Sequence, residues 1–279
     1  MQYELSQSSY LAFSSFLHGK LGIVLGENKQ YLVRSRLSAV ARNHDYASID
    51  VFLKDVVSGK NRALSEQCLE LMTTNETFWF RDVYPFALLK SHLLPTLNNQ
   101  QQKLRIWSSA CASGQEPYSI AMVIADFKRD NPRAFCGGIE IIASDFSEKM
   151  INKAQAGIYD QLALGRGLDI NNKTRYFQQC DAALHKDAMQ LSAGIKRMVQ
   201  FKRFNLLSDF GLMGKFDIIF CRNVLIYFDG KEKTQILKKF AACLPSSGAL
   251  MLGAAESING ADSIFKMQSV DRGLYYSKV

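Results

Sequence analysis

Three segments of the chain carry residues whose types and spacing could hold a nucleotide-like cofactor. The first is an apolar run at residues 104–108 that leads into a turn of small residues: Ala110, Ala112 and Gly114. Small residues let the backbone approach a ligand closely, and the N–H groups that open the following helix attract polar or anionic groups. The pattern predicts a variant of the glycine-rich nucleotide loop. Small residues that serve packing alone are the alternative.

The second segment is an apolar run at residues 139–143 that ends in Ser144 and Asp145. An acidic residue at the end of a second strand can accept hydrogen bonds from both ribose hydroxyls of an adenosine. The same side chain could instead cap the helix expected to begin near Ser147, and spacing alone does not separate the two roles. Together with the small-residue turn, Asp145 favours a cofactor built on adenosine.

The third segment, residues 216–228, reads as a buried strand with polar residues at its C-terminal end. In an open α/β sheet that end of a strand faces the ligand crevice. The residues on the reacting side should therefore be Arg222, Asn223 and Tyr227. Tyr227 could also serve packing alone.

A parallel, doubly wound sheet must position these segments, because short apolar runs alternate with helical patterns from residue 104 onward. Two closing runs at 265–270 and 273–277 predict an antiparallel hairpin at one sheet edge. The alternation breaks between residues 159 and 199, a stretch too long for an ordinary loop, which predicts an inserted subdomain at about 160–199. The expected fold class is α/β.

Ahead of the sheet, residues 1–72 read as a small helical domain, and residues 73–279 as the α/β domain. Val33, Leu37 and Val40 recur at the spacing of an amphipathic helix. A further short helix is expected at residues 88–94, ended by Pro95.

The net charge of +8 is concentrated in two places. Residues 17–42 hold five cations against one anion, and residues 172–203 hold seven cations against two anions. Such segments predict an acidic partner, and charge alone leaves nucleic acid, anionic lipid and an acidic protein surface open.

The cysteines and the apolar runs exclude several classes of protein. Six cysteines and four histidines are present, with no C-x-x-C pair, so we expect free thiols and no metal site. No apolar run approaches the ~20 residues that span a bilayer, and the first residues do not read as a signal peptide. We therefore expect a cytoplasmic protein.

Four motifs, in order along the chain, resemble those of the CheR-type chemotaxis receptor methyltransferases. They lie at residues 73–82 (TTNETFWFRD), at 107–121 (WSSACASGQEPYSIA), at Asp145 with 205–207 (NLL), and at 221–228 (CRNVLIYF). The resemblance implies a small helical N-terminal domain, a Rossmann-like methyltransferase sheet and a small β-subdomain inserted in it. It also implies methyl transfer from S-adenosylmethionine to glutamate side chains of chemotaxis receptors, which gives methyl esters and S-adenosylhomocysteine.

At the matching positions the resemblance implies nine cofactor contacts: Asn75, Thr77, Arg81, Glu116, Asp145, Asn205, Leu206, Arg222 and Asn223. For catalysis we expect Arg81 to hold an anion through its fork of donors and Tyr227 to orient an oxygen. On the basic helix near residues 29–42, Arg34, Arg36 and Arg42 are expected to dock the acidic, helical cytoplasmic region of a receptor. The protein is expected to be a monomer that meets the membrane only through that receptor.

Two other classes of function stay open. A methyltransferase acting on another protein, a small molecule or a nucleic acid would share the cofactor half. Enzymes that methylate nucleic-acid bases tend to carry an Asn/Asp-Pro-Pro-aromatic motif at the strand that corresponds to residues 216–221 of this chain. The segment 216–228 has no proline, so we expect no nucleic-acid partner. A cofactor-binding signalling scaffold without activity is the second class. Four intact residues weigh against it: Arg81, Asp145, Asn223 and Tyr227.

Overall fold

The computed structural model describes residues 4–98, 102–180, 187–271 and 273–279. These residues form two compact units. The first comprises the described residues up to Thr74 together with Asn205–Leu207 and Ile226–Lys233, and the second comprises Asn75–Phe204, Ser208–Leu225 and Thr234–Val279. The predicted domain boundary after residue 72 stays a prediction.

Four helices build most of the first unit: α1 (Gln7–Leu21), α2 (Gln30–Asn43), α3 (Ile49–Ser58) and α4 (Arg62–Met72). Ser6 and Ser48 cap α1 and α3, since their hydroxyls accept from backbone N–H groups in the first turn. Each helix buries an apolar stripe, with Phe13 on α1 and Leu37 on α2 fully buried. The predicted helical N-terminal part is confirmed.

The second unit is built on a seven-stranded sheet of order β6-β2-β1-β7-β8-β10-β9. Its strands are β1 (Leu104–Ser109), β2 (Ile139–Asp145), β6 (Val199–Arg203), β7 (Ile218–Cys221), β8 (Ala249–Leu252), β9 (Phe265–Val270) and β10 (Gly273–Lys278). The first five in the spatial order run parallel, and β10 and β9 close the edge as an antiparallel hairpin. The predicted α/β class and the edge hairpin are confirmed.

The strand order reverses at β1, which pairs with β2 on one side and β7 on the other. In such sheets a ligand crevice opens beyond the carboxyl ends of the strands at this switch point. Trp107 of β1 is fully buried and packs its ring against Phe204, Phe210, Phe216 and Phe240 at 5.2 to 5.6 Å. This aromatic cluster fixes the central strand beneath the crevice.

The remaining helices are α5 (Tyr84–Leu88), α6 (Leu94–Leu97), α7 (Gln115–Asp130), α8 (Glu148–Ala156), α9 (Gln161–Gly165), α10 (Ile170–Tyr176), α11 (Ala193–Arg197) and α12 (Gly230–Cys243). The prediction that Pro95 ends a helix is wrong. A π-helical turn, Leu89–Leu93, joins α5 to α6, and Pro95 lies in the first turn of α6, where a missing N–H is tolerated. Within the described ranges, no helix has both the length and the apolar character to cross a membrane.

Where an inserted subdomain is predicted, at 160–199, the structure forms a three-stranded antiparallel sheet of order β3-β5-β4, whose first strand begins just before that range. The bounds of the subdomain stay a prediction. It consists of β3 (Ile158–Tyr159), β4 (Phe177–Gln179) and β5 (Met189–Leu191). The buried Trp79 packs edge-on against Tyr159 at 4.9 Å and Phe177 at 5.4 Å, so the subdomain supports the segment that follows residue 74. Asp181 and Lys186, which contribute to the charge of this stretch, lie outside the described residues.

Candidate functional site

The small-residue turn after β1 takes up a backbone conformation that few residues adopt. Ala110, Ala112 and Gly114 have φ values of 56°, 47° and 93°, all in the left-handed region. A Cβ on Gly114 would lie 2.8 Å from Cβ of Ala154, so this position also needs glycine for packing against α8. The spacing of small residues therefore marks a real constraint, and the turn leads directly into the N-terminus of α7.

Asp145, at the end of β2, is tied to that turn. Its Oδ2 accepts from the backbone N–H of Ala112 at 2.9 Å, and its Oδ1 accepts from that of Ser147 at 2.9 Å. The helix cap of α8 is Ser147, whose hydroxyl accepts from the N–H of Met150. The capping role thus belongs to Ser147.

Glu116 and Arg222 form a buried ion pair beyond the ends of β1 and β7. Arg222 Nη1 lies 2.9 Å from Glu116 Oε2, and the Ser108 hydroxyl donates to Glu116 Oε1 at 2.8 Å. The Arg222 side chain is only 1% exposed, so loss of the Glu116 carboxylate would leave its buried charge without that counter-charge. Its Nε is buried without a hydrogen-bond partner among the described residues. A buried donor in this position is available to a ligand.

Arg222 also holds a strained segment. Phe80, Asp82 and Val83 have φ values of 47°, 66° and 55°. Arg222 Nη2 donates to the backbone oxygen of Arg81 at 2.8 Å and to Asp82 Oδ2 at 2.7 Å. Backbone strain of this kind persists only where the surroundings enforce it, and it gathers at functional sites.

The Arg81 guanidinium lies over the Phe78 ring at 5.1 Å and donates to the backbone oxygen of Glu76. Arg166 of the inserted subdomain contacts the same ring at 5.4 Å and pairs with Glu76 at 3.0 Å. The sequence did not single out Arg166, because nothing in its flanking residues marks it. Two further predicted cofactor residues in this segment, Asn75 and Thr77, are half-buried.

A second carboxylate, missed from the sequence, organises the loop after β7. Glu256 accepts four backbone N–H groups, from Asn223, Val224, Leu225 and Gly253, at 2.7 to 2.9 Å. Asn223 has a φ of 58°, in the left-handed region. One signal in the sequence could have indicated Glu256. It lies just past the end of β8, and polar residues that follow the carboxyl ends of parallel strands face the ligand crevice.

Three of the residues predicted to contact the cofactor or to act in catalysis belong to the first unit. The Asn205 side chain donates to the backbone oxygen of Lys20 and accepts from the N–H of Leu207, each at 2.9 Å. Leu206 is buried. Tyr227 is half-buried, and its backbone oxygen accepts from the N–H of Val24. Their roles toward the cofactor and in catalysis stay predictions.

The three arginines predicted to dock a receptor differ in their surroundings. Arg34 and Arg42 are exposed on α2. Arg36 is half-buried, and its Nη1 donates to the backbone oxygens of Met72 at 2.7 Å and Thr73 at 3.1 Å. Arg36 therefore satisfies carbonyl groups at the end of α4, which is a structural role. Arg34 and Arg42 stay candidates for a partner by their exposure.

One group of side chains in the described part of the chain could share a cation: His18, Asp229 and Glu232. His18 Nε2 lies 3.2 Å from Asp229 Oδ2 and 3.7 Å from Glu232 Oε2. Asp229 Oδ1 accepts from the N–H groups of Lys231 and Glu232, so this carboxylate caps α12. The group is explained as a hydrogen-bonded cluster at a helix start, and the expected lack of a metal site stays a prediction.

Two buried cysteines border the site. Burial raises the pKa of the Cys111 thiol well above its ordinary value, and the Asp145 and Glu116 carboxylates raise it further. Burial likewise raises the pKa of Cys221. Both thiols stay protonated at neutral pH, so neither acts as a nucleophile here.

Comparison with known proteins finds similarity to methyltransferases along nearly the whole chain. The family model "CheR methyltransferase, SAM binding domain" matches residues 75–274, and "CheR methyltransferase, all-alpha domain" matches residues 8–73. A chemotaxis protein methyltransferase of Vibrio parahaemolyticus is 44% identical over 98% of this chain and 97% of its own length. The chemotaxis protein methyltransferase of Escherichia coli is 31% identical over 95% and 89%. The structure of magnesium protoporphyrin IX methyltransferase from Synechocystis PCC 6803 with bound SAM matches with a TM-score of 0.37 and 16% identity, over 79% of this chain and 93% of that chain.

Proposed function

The chain belongs to the CheR methyltransferase family, and from this premise we propose that it methylates glutamate side chains of a chemotaxis receptor. It is a chemotaxis protein methyltransferase that uses S-adenosylmethionine. That the substrate is a receptor, that the methylated group is a glutamate side chain, and which residues act on it are our proposals.

The residues at the crevice fit S-adenosylmethionine, which carries ribose hydroxyls, a carboxylate and an ammonium group. The buried Nε of Arg222 suits an acceptor such as the carboxylate. Glu116 retains lone pairs for hydroxyl or ammonium donors after the hydrogen bonds that it already makes. Asp145 stands at the end of β2, where a carboxylate can accept from ribose hydroxyls. We assign the other predicted contacts by position in the family motifs: Asn75, Thr77, Arg81, Asn205, Leu206 and Asn223.

When bound, the cofactor would supply a methyl group on a sulfonium: the new bond would form between a carboxylate oxygen and the methyl carbon as the carbon–sulfur bond breaks in line, with S-adenosylhomocysteine as the leaving group. A glutamate side chain has a reference pKa of about 4.3 and is ionised at neutral pH, so no strong base is needed. The protein must align the carboxylate and exclude water, because water stabilises the separated charges that the reaction cancels.

We assign alignment to two side chains. Arg81 would hold the glutamate carboxylate through its guanidinium, which the Phe78 ring already orients. Tyr227 would orient an oxygen through its hydroxyl. The strained segment 80–83, pinned by Arg222, keeps the backbone of Arg81 fixed while it does so.

The observation that carries the proposal is the Glu116–Arg222–Asp82 network at the carboxyl end of β7, in a chain that matches chemotaxis protein methyltransferases along nearly its whole length. Its test is incubation of the protein with methyl-labelled S-adenosylmethionine and receptor-containing membranes. Carboxyl methyl esters release labelled methanol in base, so we expect alkali-labile label in the receptor.

Membranes from cells without receptors are the control and should stay unlabelled. Label that resists base, or that enters a small molecule instead of the receptor, would contradict the glutamate assignment. A methyltransferase acting on another protein would then be the better account, since the cofactor half of the site is common to both.

A further inference from the structure

The carboxylate of Glu256, in the second unit, accepts four hydrogen bonds from backbone N–H groups. Glu256 Oε2 accepts from the N–H groups of Asn223 at 2.7 Å and Gly253 at 2.8 Å. Its Oε1 accepts from those of Val224 at 2.9 Å and Leu225 at 2.7 Å. Both oxygens act only as acceptors, as in an ionised carboxylate. Glu256 is buried, and no cation among the described residues lies within ion-pair reach of it.

These bonds tie the ends of two neighbouring parallel strands. Gly253 follows β8, and Asn223 begins the loop after β7. A Cβ on Gly253 would lie 2.7 Å from Glu256 Oε2, 2.8 Å from Asn223 Nδ2 and 2.9 Å from Asn223 N. The fit is therefore so tight that a methyl group would require Glu256 or Asn223 to shift. Asn223 is held in the left-handed region, with a φ of 58°.

We propose that Glu256 is a positioning residue for cofactor binding, acting through Asn223. Its carboxylate fixes the backbone of Asn223 and so aims the Asn223 side chain into the crevice beyond the carboxyl ends of β7 and β8. This proposal rests on the proposed role of Asn223 as a cofactor contact.

The contacts favour positioning over simple packing. A buried carboxylate needs a counter-charge or several donors, and four backbone N–H groups meet that need for Glu256. Here all four donors come from the two strand ends, and three belong to consecutive residues of one loop. An amide in place of the carboxylate would turn an N–H toward two of these donors. The loop conformation should then relax even where the fold survives.

The test measures the affinity for S-adenosylhomocysteine by calorimetry in four variants of the full chain. They are Glu256→Gln, Asn223→Ala, the double variant, and Glu140→Gln as a matched control. Glu140 is a half-buried carboxylate that bonds Arg105 and Lys103 near the start of β2, at the opposite end of the sheet. Melting curves report the stability of each variant.

We expect Glu256→Gln and Asn223→Ala each to weaken binding roughly tenfold or more, which corresponds to about 1.4 kcal/mol. The double variant should bind S-adenosylhomocysteine with about the affinity of whichever single variant binds it less tightly, because both changes remove the same contact, that of the Asn223 side chain. Glu140→Gln should lower the melting temperature and leave the affinity as it is. A general loss of stability would not produce this pattern.

Three outcomes would overturn the proposal in distinguishable ways. Unchanged affinity in Glu256→Gln, with a loss in Asn223→Ala, would refute the role of Glu256 and leave the proposed cofactor site intact. Unchanged affinity in Asn223→Ala would refute the assignment of Asn223 itself. Losses that add in the double variant would show that Glu256 does not act through Asn223.

Should Glu256→Gln fail to fold, Gly253→Ala takes its place. The added methyl group would push on Glu256 Oε2 and Asn223 without removing the charge. We expect this variant also to bind S-adenosylhomocysteine roughly tenfold more weakly. Wild-type affinity in a folded Gly253→Ala variant would overturn the proposal.

Discussion

Asp145 and Glu256 hold the two halves of the crevice by the same means, a carboxylate that accepts backbone N–H groups at a strand end. Asp145 takes N–H groups from the turn after β1 and from Ser147, and Glu256 takes them from the loops after β7 and β8. Charge-assisted bonds of this kind contribute about 1.5–3 kcal/mol each. Single substitutions here should therefore be measurable.

Asp145→Ala should weaken the binding of S-adenosylhomocysteine without unfolding the second unit. It removes the bond to Ala112 and the acceptor proposed for the ribose, and a loss of ~1.5–3 kcal/mol corresponds to roughly 10- to 150-fold in affinity. Calorimetry measures it. Ser147→Ala is the control, because it removes only the cap of α8 and should lower stability by about 1 kcal/mol with no change in affinity. Equal affinities in Asp145→Ala and the parent would refute the ribose assignment.

Arg81→Ala and Tyr227→Phe should have different consequences. Arg81 is proposed to contact both cofactor and substrate, so its loss should lower the affinity for S-adenosylhomocysteine and the turnover on receptor together. Tyr227→Phe removes one hydroxyl and should lower turnover while the affinity is kept. Parallel binding and methylation assays separate the two. Full turnover by Tyr227→Phe would assign Tyr227 to packing.

The roles of residues at strand ends could be predicted from the sequence where a local pattern indicates them. Small residues at positions 110, 112 and 114 marked the tight turn, and all three prove to be left-handed. Glu256 was not found, although the same strand-end rule covers it. Arg166 could not be found at all, because its contact with Phe78 depends on how the inserted subdomain folds back.

Among the elements, the entry to α5 stands out for its strain. Val83 has φ 55° and ψ −53°, and the N–H of Tyr84 bonds the backbone oxygen of Asp82 across it. This is a γ-turn of the rare positive-φ form, and Val83 is β-branched and 70% exposed. Its side chain thus gains little from burial while its backbone is strained.

Val83→Gly should stabilise the protein by about 1 kcal/mol, since relief of strain exceeds the extra entropy of glycine in the unfolded chain. Chemical denaturation measures the free energy of unfolding. Val51→Gly is the matched control, because Val51 is exposed to a similar degree, 49%, but lies within α3. There glycine should destabilise by about 0.5 kcal/mol. A less stable Val83→Gly variant would show that the turn carries no strain.

Elements were predictable wherever periodicity is strong. The alternation of apolar runs and helical patterns predicts the parallel sheet and its edge hairpin, because both faces of such strands are buried. The helix at 84–97 was misjudged at both ends: it begins before residue 88, and Pro95 lies inside it. The π-helical turn that accommodates Pro95 has no sequence signature, since it depends on local packing.

At the scale of the whole molecule, the charge on α2 remains the feature proposed to meet the receptor. Arg34→Glu combined with Arg42→Glu should lower receptor methylation steeply at low salt and less at high salt, because salt screens surface charges. Both sites are changed since one exposed ion pair contributes only ~0.2–1 kcal/mol. Arg36 is left in place because it bonds the end of α4. Cofactor affinity should be unchanged.

Lys54→Glu with Lys60→Glu is the control for this experiment. Both lysines are exposed in the first unit, and the charge change is the same. Normal methylation by the Arg34 and Arg42 variant at low salt would mean that the receptor is held elsewhere. The other basic segment, residues 172–203, would then be the candidate, although residues 181–186 within it lie outside the described residues.

The first unit is assembled from three separate stretches of chain, and this has a consequence for synthesis. The Asn205 side chain bonds the backbone of Lys20, the N–H of Val24 bonds the backbone of Tyr227, and His18 pairs with Asp229. Domains generally fold from the N-terminus as the ribosome releases them. This unit can be completed only after residue 233 has emerged, when β1, β2, β6 and β7 have already been synthesised. A protease cut after Thr74 would accordingly release an incomplete unit.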